Sequence, residues 1–313
     1  MWQYLLKRLL ATIPVLLVVL VVVFLMLRLT PGDPAANIAG DAATSEDIEQ
    51  LREQLGLNRS LPAQFMIYAG NLLRGDFGDS FYYKRPVIDM ISSGLEPSLS
   101  LALFTIVIAC AVAVPIGTLA AYRQGSWIDR LVMGFSVVGF SVPVFVIGYA
   151  MIYVLSLKLE WFPVQGYQSI TEGVGGWAYR LILPSSALSV IFIALIARMT
   201  RTSVLEVLNE DYVRTARAKG LPQAKVLVKH ALRNAAVPIV TVIGIAIAIL
   251  ISGVVVTESV FVIPGLGSLT LDAIQGRDYP TVQALIILFS LVYIGINLAI
   301  DVIYTILDPR IRY

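Results

Sequence analysis

The stretch that organises this chain is DYVRTARAKGL, residues 211–221, which lies between two long apolar runs. It has no helix-breaking residue before Gly220, and Leu221-Pro222 then forces a new chain direction. Residues 223–234 are predicted to form a second helix. A short helix between two rigid apolar helices would transmit the movement of a bound partner to both of them. The pattern therefore predicts a docking site. A basic loop that only follows the charge rule for membrane proteins is the alternative.

The rest of the composition indicates a membrane protein. Hydrophobic residues make up 58% of the 313 residues and charged residues 14%, well below the roughly 25% charge of soluble domains. A membrane-spanning helix needs about 17–25 apolar residues. Six runs without Asp, Glu, Lys or Arg reach that length: 9–27, 97–122, 131–157, 181–197, 234–257 and 279–300. The fold class expected is an all-α integral membrane protein with six transmembrane helices.

The spans divide the chain into three predicted parts. Residues 1–30 form the first transmembrane helix, which is expected to stay as a signal anchor because its 19 apolar residues exceed the roughly 7–15 of a cleaved signal. Residues 31–96 form a small extracytoplasmic helical insertion, with a capping box at Thr44–Asp47 and a second short helix after Pro62. Residues 97–313 form a five-helix core with the polar loop 198–233.

Basic residues predict the orientation. The N-terminus, the 123–130 loop, the 198–233 loop and the C-terminus together hold 14 Lys and Arg, whereas the other side holds nine. The side richer in Lys and Arg is cytoplasmic. Both termini and the 198–233 loop are therefore expected in the cytoplasm, and the insertion outside it.

Two further patterns concern the membrane helices. Gly244, Ala248 and Ser252 recur every four residues, which lets another helix approach closely. That helix belongs either to a second membrane subunit along the transport pathway or to this chain. Pro115 and Pro143 are expected inside the second and third spans, as hinges or as static kinks. Arg198 and Arg201 are expected to extend from the end of the short fourth run to the membrane surface.

Catalytic and metal-binding motifs are missing from the sequence. It contains no P-loop, no His-Glu-x-x-His and no Gly-x-Ser-x-Gly, and its single cysteine, Cys110, forms no disulfide within the chain. The apolar runs hold no paired carboxylates, which weighs against proton coupling. We therefore predict no catalytic residue, metal or cofactor in this chain, no enzyme activity and no nucleic-acid partner. Energy for uphill transport would enter from another subunit.

The loop motif also resembles a known family. YVRTARAKGL (212–221), followed by HALRN (230–234), is similar to the coupling loop of bacterial ABC-importer permeases of the peptide class. Against the general importer motif Glu-Ala-Ala-xxx-Gly-x9-Ile-x-Leu-Pro, this chain matches at Ala216, Gly220 and Leu232 and departs elsewhere as the peptide class does. The resemblance extends along the chain through TPGDP (30–34), QLGL (54–57), GDFG (75–78), RDYP (277–280) and DPRIR (308–312).

The resemblance implies a mechanism and a set of partners. It implies a type I ABC importer permease fold in the bacterial inner membrane, beside a homologous second permease. It also implies two cytoplasmic ATPase subunits, which carry the ATP and Mg, and an extracytoplasmic substrate-binding protein. Tyr212, Ala216 and Lys219 lie along one predicted helix face. The residues assigned to ATPase coupling are Tyr212, Arg214, Thr215, Ala216, Arg217, Ala218, Lys219, Gly220 and Leu221.

The cargo is less constrained than the family. Di- or oligopeptides are the expected substrates, and glutathione or nickel are the alternatives within the same family. One His, one Cys and seven Met supply few soft ligands for nickel. A self-contained secondary transporter is the rival from another class, and it would require intramembrane charges and repeats.

Overall fold

The structure is a computed structural model that describes residues 2–29, 35–36, 44–54 and 56–307. Apart from one isolated bridge between Asp79 and Pro86, the regular structure in those ranges is helical. The α-helices are numbered in chain order as α1 (Trp2–Leu29), α2 (Ser45–Gln54), α3 (Leu61–Leu73), α4 (Val87–Tyr122), α5 (Trp127–Ser141), α6 (Val144–Met151), α7 (Val174–Leu208), α8 (Asp211–Ala218), α9 (Gln223–Lys225), α10 (Ala236–Phe261), α11 (Leu266–Gln275) and α12 (Tyr279–Leu307). Helices α6 and α9 continue as the π-helical segments Ile152–Lys158 and Val226–Leu232.

Several helices are long and apolar enough to cross a membrane. Within the described residues these are Val87–Tyr122, Val174–Leu208 and Tyr279–Tyr304, and up to six segments qualify if each of three bent helix pairs counts as one span. Residues Leu10–Met26 form a shorter apolar stretch. The prediction of an all-α protein with membrane-spanning helices is confirmed. The short fourth apolar run lies inside a 35-residue helix, α7, so its length is no obstacle to spanning.

The third predicted span is broken where the sequence predicted only a bend. Pro115 lies inside α4 as expected. Pro143, in contrast, precedes the first residue of α6, and the helices before and after it differ in direction by 102°. Proline has no amide hydrogen and disfavours helical backbone at the preceding residue, here Val142, whose ψ of 122° is extended. The expectation of an interior kink at Pro143 was therefore wrong.

A second feature is the segment 258–278 between the apolar runs 234–257 and 279–300, which contains the helix α11. The chain turns by 87° between Val254–Phe261 and this helix, and Val262 at the turn has a left-handed φ of 52°. The carboxylate of Glu258 is fully buried and accepts the Ser268 N–H in the first turn of α11. It also accepts the Ser98 hydroxyl. A buried carboxylate requires such donors, so these bonds explain how the turn holds its shape.

The described chain divides into two compact units by its contacts. Unit 1 comprises the described residues 96–268 and 296–307. Its core is built around α7, which packs against α5 and α10. Leu181, Leu188 and Phe192 of α7 are almost fully buried in this core. A side chain at Gly117 of α4 would lie 2.5 Å from the Ala197 carbonyl oxygen, so the glycine permits close packing of α4 on α7.

Unit 2 comprises Trp2–Leu95 and Leu269–Gly295. The Phe24 ring of α1 contacts the rings of Phe65 and Tyr68 on α3, with centroids 5.3 and 5.7 Å away. Gln283 of α12 donates to the Val23 carbonyl at 2.7 Å. Buried Asp278 accepts from Ser80, the Phe81 N–H and Thr281. Helix α3 of the insertion thus packs Phe65 and Tyr68 against α1, and an isolated segment of this length would have no such surface to pack on.

Some sequence predictions lie outside the described residues. These are the TPGDP stretch (30–34), Leu55 of the QLGL stretch and the DPRIR stretch (308–312). The three-part division at residues 30 and 96 stays a prediction.

Candidate functional site

Helix α8 forms the centre of the polar loop between α7 and α10. Glu210 has the extended backbone (φ −71°, ψ 147°) of a residue that precedes a helix, and Asp211 places negative charge in the first turn. Arg214 lies 3.3 Å from Asp211 in an ion pair that is largely exposed to solvent. Exposed pairs of this kind contribute little stability, so α8 depends on its packing.

The end of α8 is a Schellman motif around Gly220. The Gly220 N–H donates to the Arg217 carbonyl at 2.9 Å, and the Leu221 N–H donates to the Ala216 carbonyl at 3.4 Å. Gly220 has a left-handed φ of 75°, which glycine adopts at little cost. An added Cβ at Gly220 would meet no atom within 4 Å. The glycine is therefore required for its backbone conformation rather than for space.

One face of α8 is packed into the protein. Val213 is fully buried and Ala216 is 7% exposed. Val213 belongs to a small hydrophobic cluster that we call the loop core, which comprises Ala121, Val204, Leu208, Val213, Val226, Ala231, Ala235 and Ile239. Partly buried Leu221 also packs against it. The loop core joins α8 to the ends of α4, α7 and α10, so a displacement of α8 would be felt by three long helices.

The remaining predicted coupling residues are exposed to solvent: Tyr212, Arg214, Thr215, Arg217, Ala218, Lys219 and Gly220. Tyr212 is 43% exposed, a large fraction for an aromatic side chain. The structure thus separates Ala216 from Tyr212 and Lys219, with which it was expected to share a face. Ala216 packs inward, whereas the other two face solvent. The surface offered by α8 is basic and carries one aromatic side chain.

A buried ion pair next to this loop was missed by the sequence reasoning. Arg201 of α7 donates from Nε and Nη2 to the two carboxylate oxygens of Asp129, at 2.6 and 2.9 Å. Asp129 also accepts the Gly125 N–H. The extension of Arg198 and Arg201 to the membrane surface stays a prediction, and the structure adds that Arg201 is held by a carboxylate on α5. Both charged residues are visible in the sequence, but no local sequence pattern indicates that two residues 72 positions apart form an ion pair.

The predicted small-residue face of α10 has a neighbour within this chain. A side chain at Gly244 would collide with Ile300 of α12, and the Tyr304 hydroxyl donates to Thr241 at 2.7 Å. Ala248 is half-buried, and the side chain of Ser252 lies outside the described residues. Gly244 thus packs against a helix of this chain, which is one of the two alternatives given by the sequence. A role of Gly244, Ala248 and Ser252 in the pathway stays a prediction.

Two family descriptions cover nearly the whole chain. Residues 113–313 match the family described as "Binding-protein-dependent transport system inner membrane component". Residues 1–102 match the N-terminal region described for the same class of membrane component.

Curated relatives and solved structures agree with this match. Over the full length of both proteins, the chain is 52% identical to the "Probable peptide ABC transporter permease protein y4tP" of Sinorhizobium fredii. It is likewise 45% identical to the "Glutathione transport system permease protein GsiC" of Escherichia coli K12. A chain of the MetNI methionine ABC transporter in inward-facing conformations aligns with a TM-score of 0.59 at 18% identity. That alignment covers 71% of this chain and 97% of the other, and it shows a common fold.

Proposed function

The chain belongs to the family of binding-protein-dependent transport system inner membrane components, and we propose that α8 is the element through which an ATPase drives it. It is a permease subunit of a peptide-type ABC importer, a transport subunit rather than an enzyme. The observation that supports the role of α8 is its division into two faces. Val213 ties it to the loop core and Ala216 is buried, while a basic face with Tyr212 is open to a partner.

The complete importer contains further subunits in this proposal. A homologous second permease completes the pathway, two cytoplasmic ATPase subunits bind ATP and Mg, and an extracytoplasmic binding protein delivers the substrate. This chain itself carries no cofactor. It crosses the bacterial inner membrane several times, with both termini in the cytoplasm and the insertion on the opposite side.

Transport proceeds by alternating access. Nucleotide binding closes the ATPase pair, the cleft that holds α8 moves, and the loop core carries that movement into α4, α7 and α10. Changing the ratio of two states from 1:99 to 99:1 requires about 5.5 kcal/mol of differential binding. ATP bound to the partner is the source of that energy, since the sequence contains no nucleotide-binding motif.

We assign di- or oligopeptides as the cargo. The relatives are named for peptides and for glutathione, which is itself a modified tripeptide, so glutathione is the second candidate. A ligand screen on the partner binding protein would separate the two.

The role of α8 is tested by Tyr212→Ala. An exposed aromatic residue is a frequent anchor of a protein interface, so we expect peptide uptake by proteoliposomes with all subunits to fall at least roughly tenfold. Thermal stability of the permease should stay unchanged because the ring is exposed. The matched control is Tyr122→Ala, at the end of α4, where the tyrosine is 44% exposed. Normal uptake in Tyr212→Ala, or an equal loss in both variants, would contradict the proposal.

A further inference from the structure

Unit 2 contains a cavity whose lining includes none of the residues assigned to ATPase coupling. Its volume is about 300 Å³, at the lower end of ligand-binding pockets. The side chains that line it come from α1, α3, the segment after α3, and the start of α12. The residues that line it include one cation, Arg28, the tyrosine Tyr68, and the acidic residues Asp76 and Asp79. A lining with both signs of charge fits a ligand that carries both.

The hydroxyl of Tyr68 is the least satisfied group in this cavity. It is buried and has no hydrogen-bond partner among the described residues. Burial raises the pKa of Tyr68 to about 12, and nearby Arg28 opposes the shift. The hydroxyl therefore keeps its proton at neutral pH and remains a donor. A buried hydroxyl without a partner is costly, and a ligand that accepts its hydrogen bond would remove that cost.

Arg28 has donors left for the same ligand. Its Nε donates to Gln64 at 3.0 Å and its Nη1 to the Phe24 carbonyl at 3.1 Å. The guanidinium group also lies 3.8 Å from the centroid of the Phe24 ring. These contacts fix its position but use two of its five N–H groups. The remaining N–H groups form a fork that fits two oxygens of a phosphate.

The acidic residues supply the opposite charge. Asp76 and Asp79 are exposed, and neither forms an ion pair with another residue in the described part of the chain. One carboxylate oxygen of Asp76 accepts the Gly78 N–H at 2.9 Å. The other oxygen and the carboxylate of Asp79 can accept from an ammonium group.

The position of the cavity indicates where such a ligand comes from. Arg28 directly follows the apolar run 9–27, and the cavity-lining Gln283 lies near the start of the apolar run 279–300. The cavity therefore lies where two apolar helices leave the hydrocarbon, at the depth of lipid headgroups. Helix α3 has no charged residue, and its Leu61, Met66, Ile67 and Leu73 are exposed. An apolar helix surface at this depth fits acyl chains.

We propose that this cavity binds the headgroup of a zwitterionic phospholipid that carries a primary ammonium, such as phosphatidylethanolamine. The phosphate accepts from Arg28 and Tyr68, and the ammonium donates to Asp76 and Asp79. The acyl chains lie along the exposed face of α3. The lipid would thus fix the insertion to the first transmembrane helix.

Native mass spectrometry of the full-length chain tests this site. The protein is delipidated in detergent and given equal amounts of phosphatidylethanolamine and phosphatidylglycerol, which share the phosphate but differ in the ammonium. We expect one phosphatidylethanolamine to be retained in preference. Tyr68→Phe should lower its retention roughly tenfold, the effect of one hydrogen bond to a charged group. Because the hydroxyl has no partner in the described protein, this variant should fold normally.

Two controls make the result decisive. Tyr82→Phe removes a hydroxyl from the same unit but not from the cavity lining, and it should retain the lipid. Equal retention of both lipids, or unchanged retention in Tyr68→Phe, would overturn the proposal. Dialanine, a soluble zwitterion with a carboxylate in place of the phosphate, is added in excess. Failure to displace the lipid supports the site, and displacement would overturn it in favour of a peptide site.

Discussion

At the scale of single residues, the backbone conformation of Gly220 explains why a glycine follows the end of α8. Its left-handed φ of 75° and the open space around it show that backbone conformation decides the residue type. A β-branched residue in that conformation costs about 1–2 kcal/mol, whereas asparagine adopts it more readily. The position of α8 relative to Leu221 therefore depends on this one φ angle.

The corresponding prediction compares two variants of Gly220. Gly220→Val should shift the Schellman motif and lower peptide uptake by proteoliposomes, while Gly220→Asn should retain most of it. Membrane insertion should be normal in both because the change is outside the apolar runs. Uptake assays and abundance in the membrane fraction measure this. Similar uptake in the two variants would show that backbone conformation at this position is not what matters.

At the scale of elements, the Asp129–Arg201 pair connects α5 to α7. Both side chains are mostly buried, with 7% and 19% exposure. Removing one partner from a buried pair leaves the other charge buried without a partner. When burial is complete, this lowers the free energy of unfolding by about 3–5 kcal/mol. The residual exposure of Arg201 lowers that figure, and about 1–3 kcal/mol is expected for a charged hydrogen bond.

A double-mutant cycle tests this connection. Asp129→Asn should lower the thermal unfolding temperature of the purified chain, and Arg201→Lys should lower it less, because lysine keeps the charge but loses the two-pronged geometry. The exchange Asp129→Arg with Arg201→Asp should lower the unfolding temperature by less than the sum of the losses in Asp129→Arg alone and Arg201→Asp alone. Additive losses in the exchanged protein would mean that the two residues stabilise the chain independently.

At the scale of the whole molecule, the charge distribution predicts that the insertion and the α8 loop lie on opposite sides of the membrane. The single cysteine, Cys110, lies in α4 and can be removed with Cys110→Ala. In that background, Lys84→Cys should react with a membrane-impermeant thiol reagent in cells with a permeabilised outer membrane. Lys219→Cys should react only after the inner membrane is opened. Labelling of Lys219→Cys in cells with an intact inner membrane would reverse the topology and remove α8 from its ATPase.

Much of this architecture could be predicted because it depends on near neighbours along the chain. Helix formation and length follow from residues within about four positions of one another. The apolar runs therefore became helices, and the predicted helix 210–220 matches α8, Asp211–Ala218. The same reasoning did not anticipate the break at Pro143 or the turn between α10 and α11. There the direction after a turn depends on distant partners, such as Ser98 for Glu258.

The amino-acid sequence alone determined the helical class, the apolar runs, the glycine stop of α8 and the family resemblance. Only the tertiary structure decided that Ala216 faces inward while Tyr212 faces solvent. It alone paired Asp129 with Arg201 and placed Tyr68 beside Arg28 and Gln283. The physical reason is the separation along the sequence between the residues that interact. Backbone conformation is set by local sterics and hydrogen bonds, whereas contacts between positions tens to hundreds of residues apart exist only after the helices have packed.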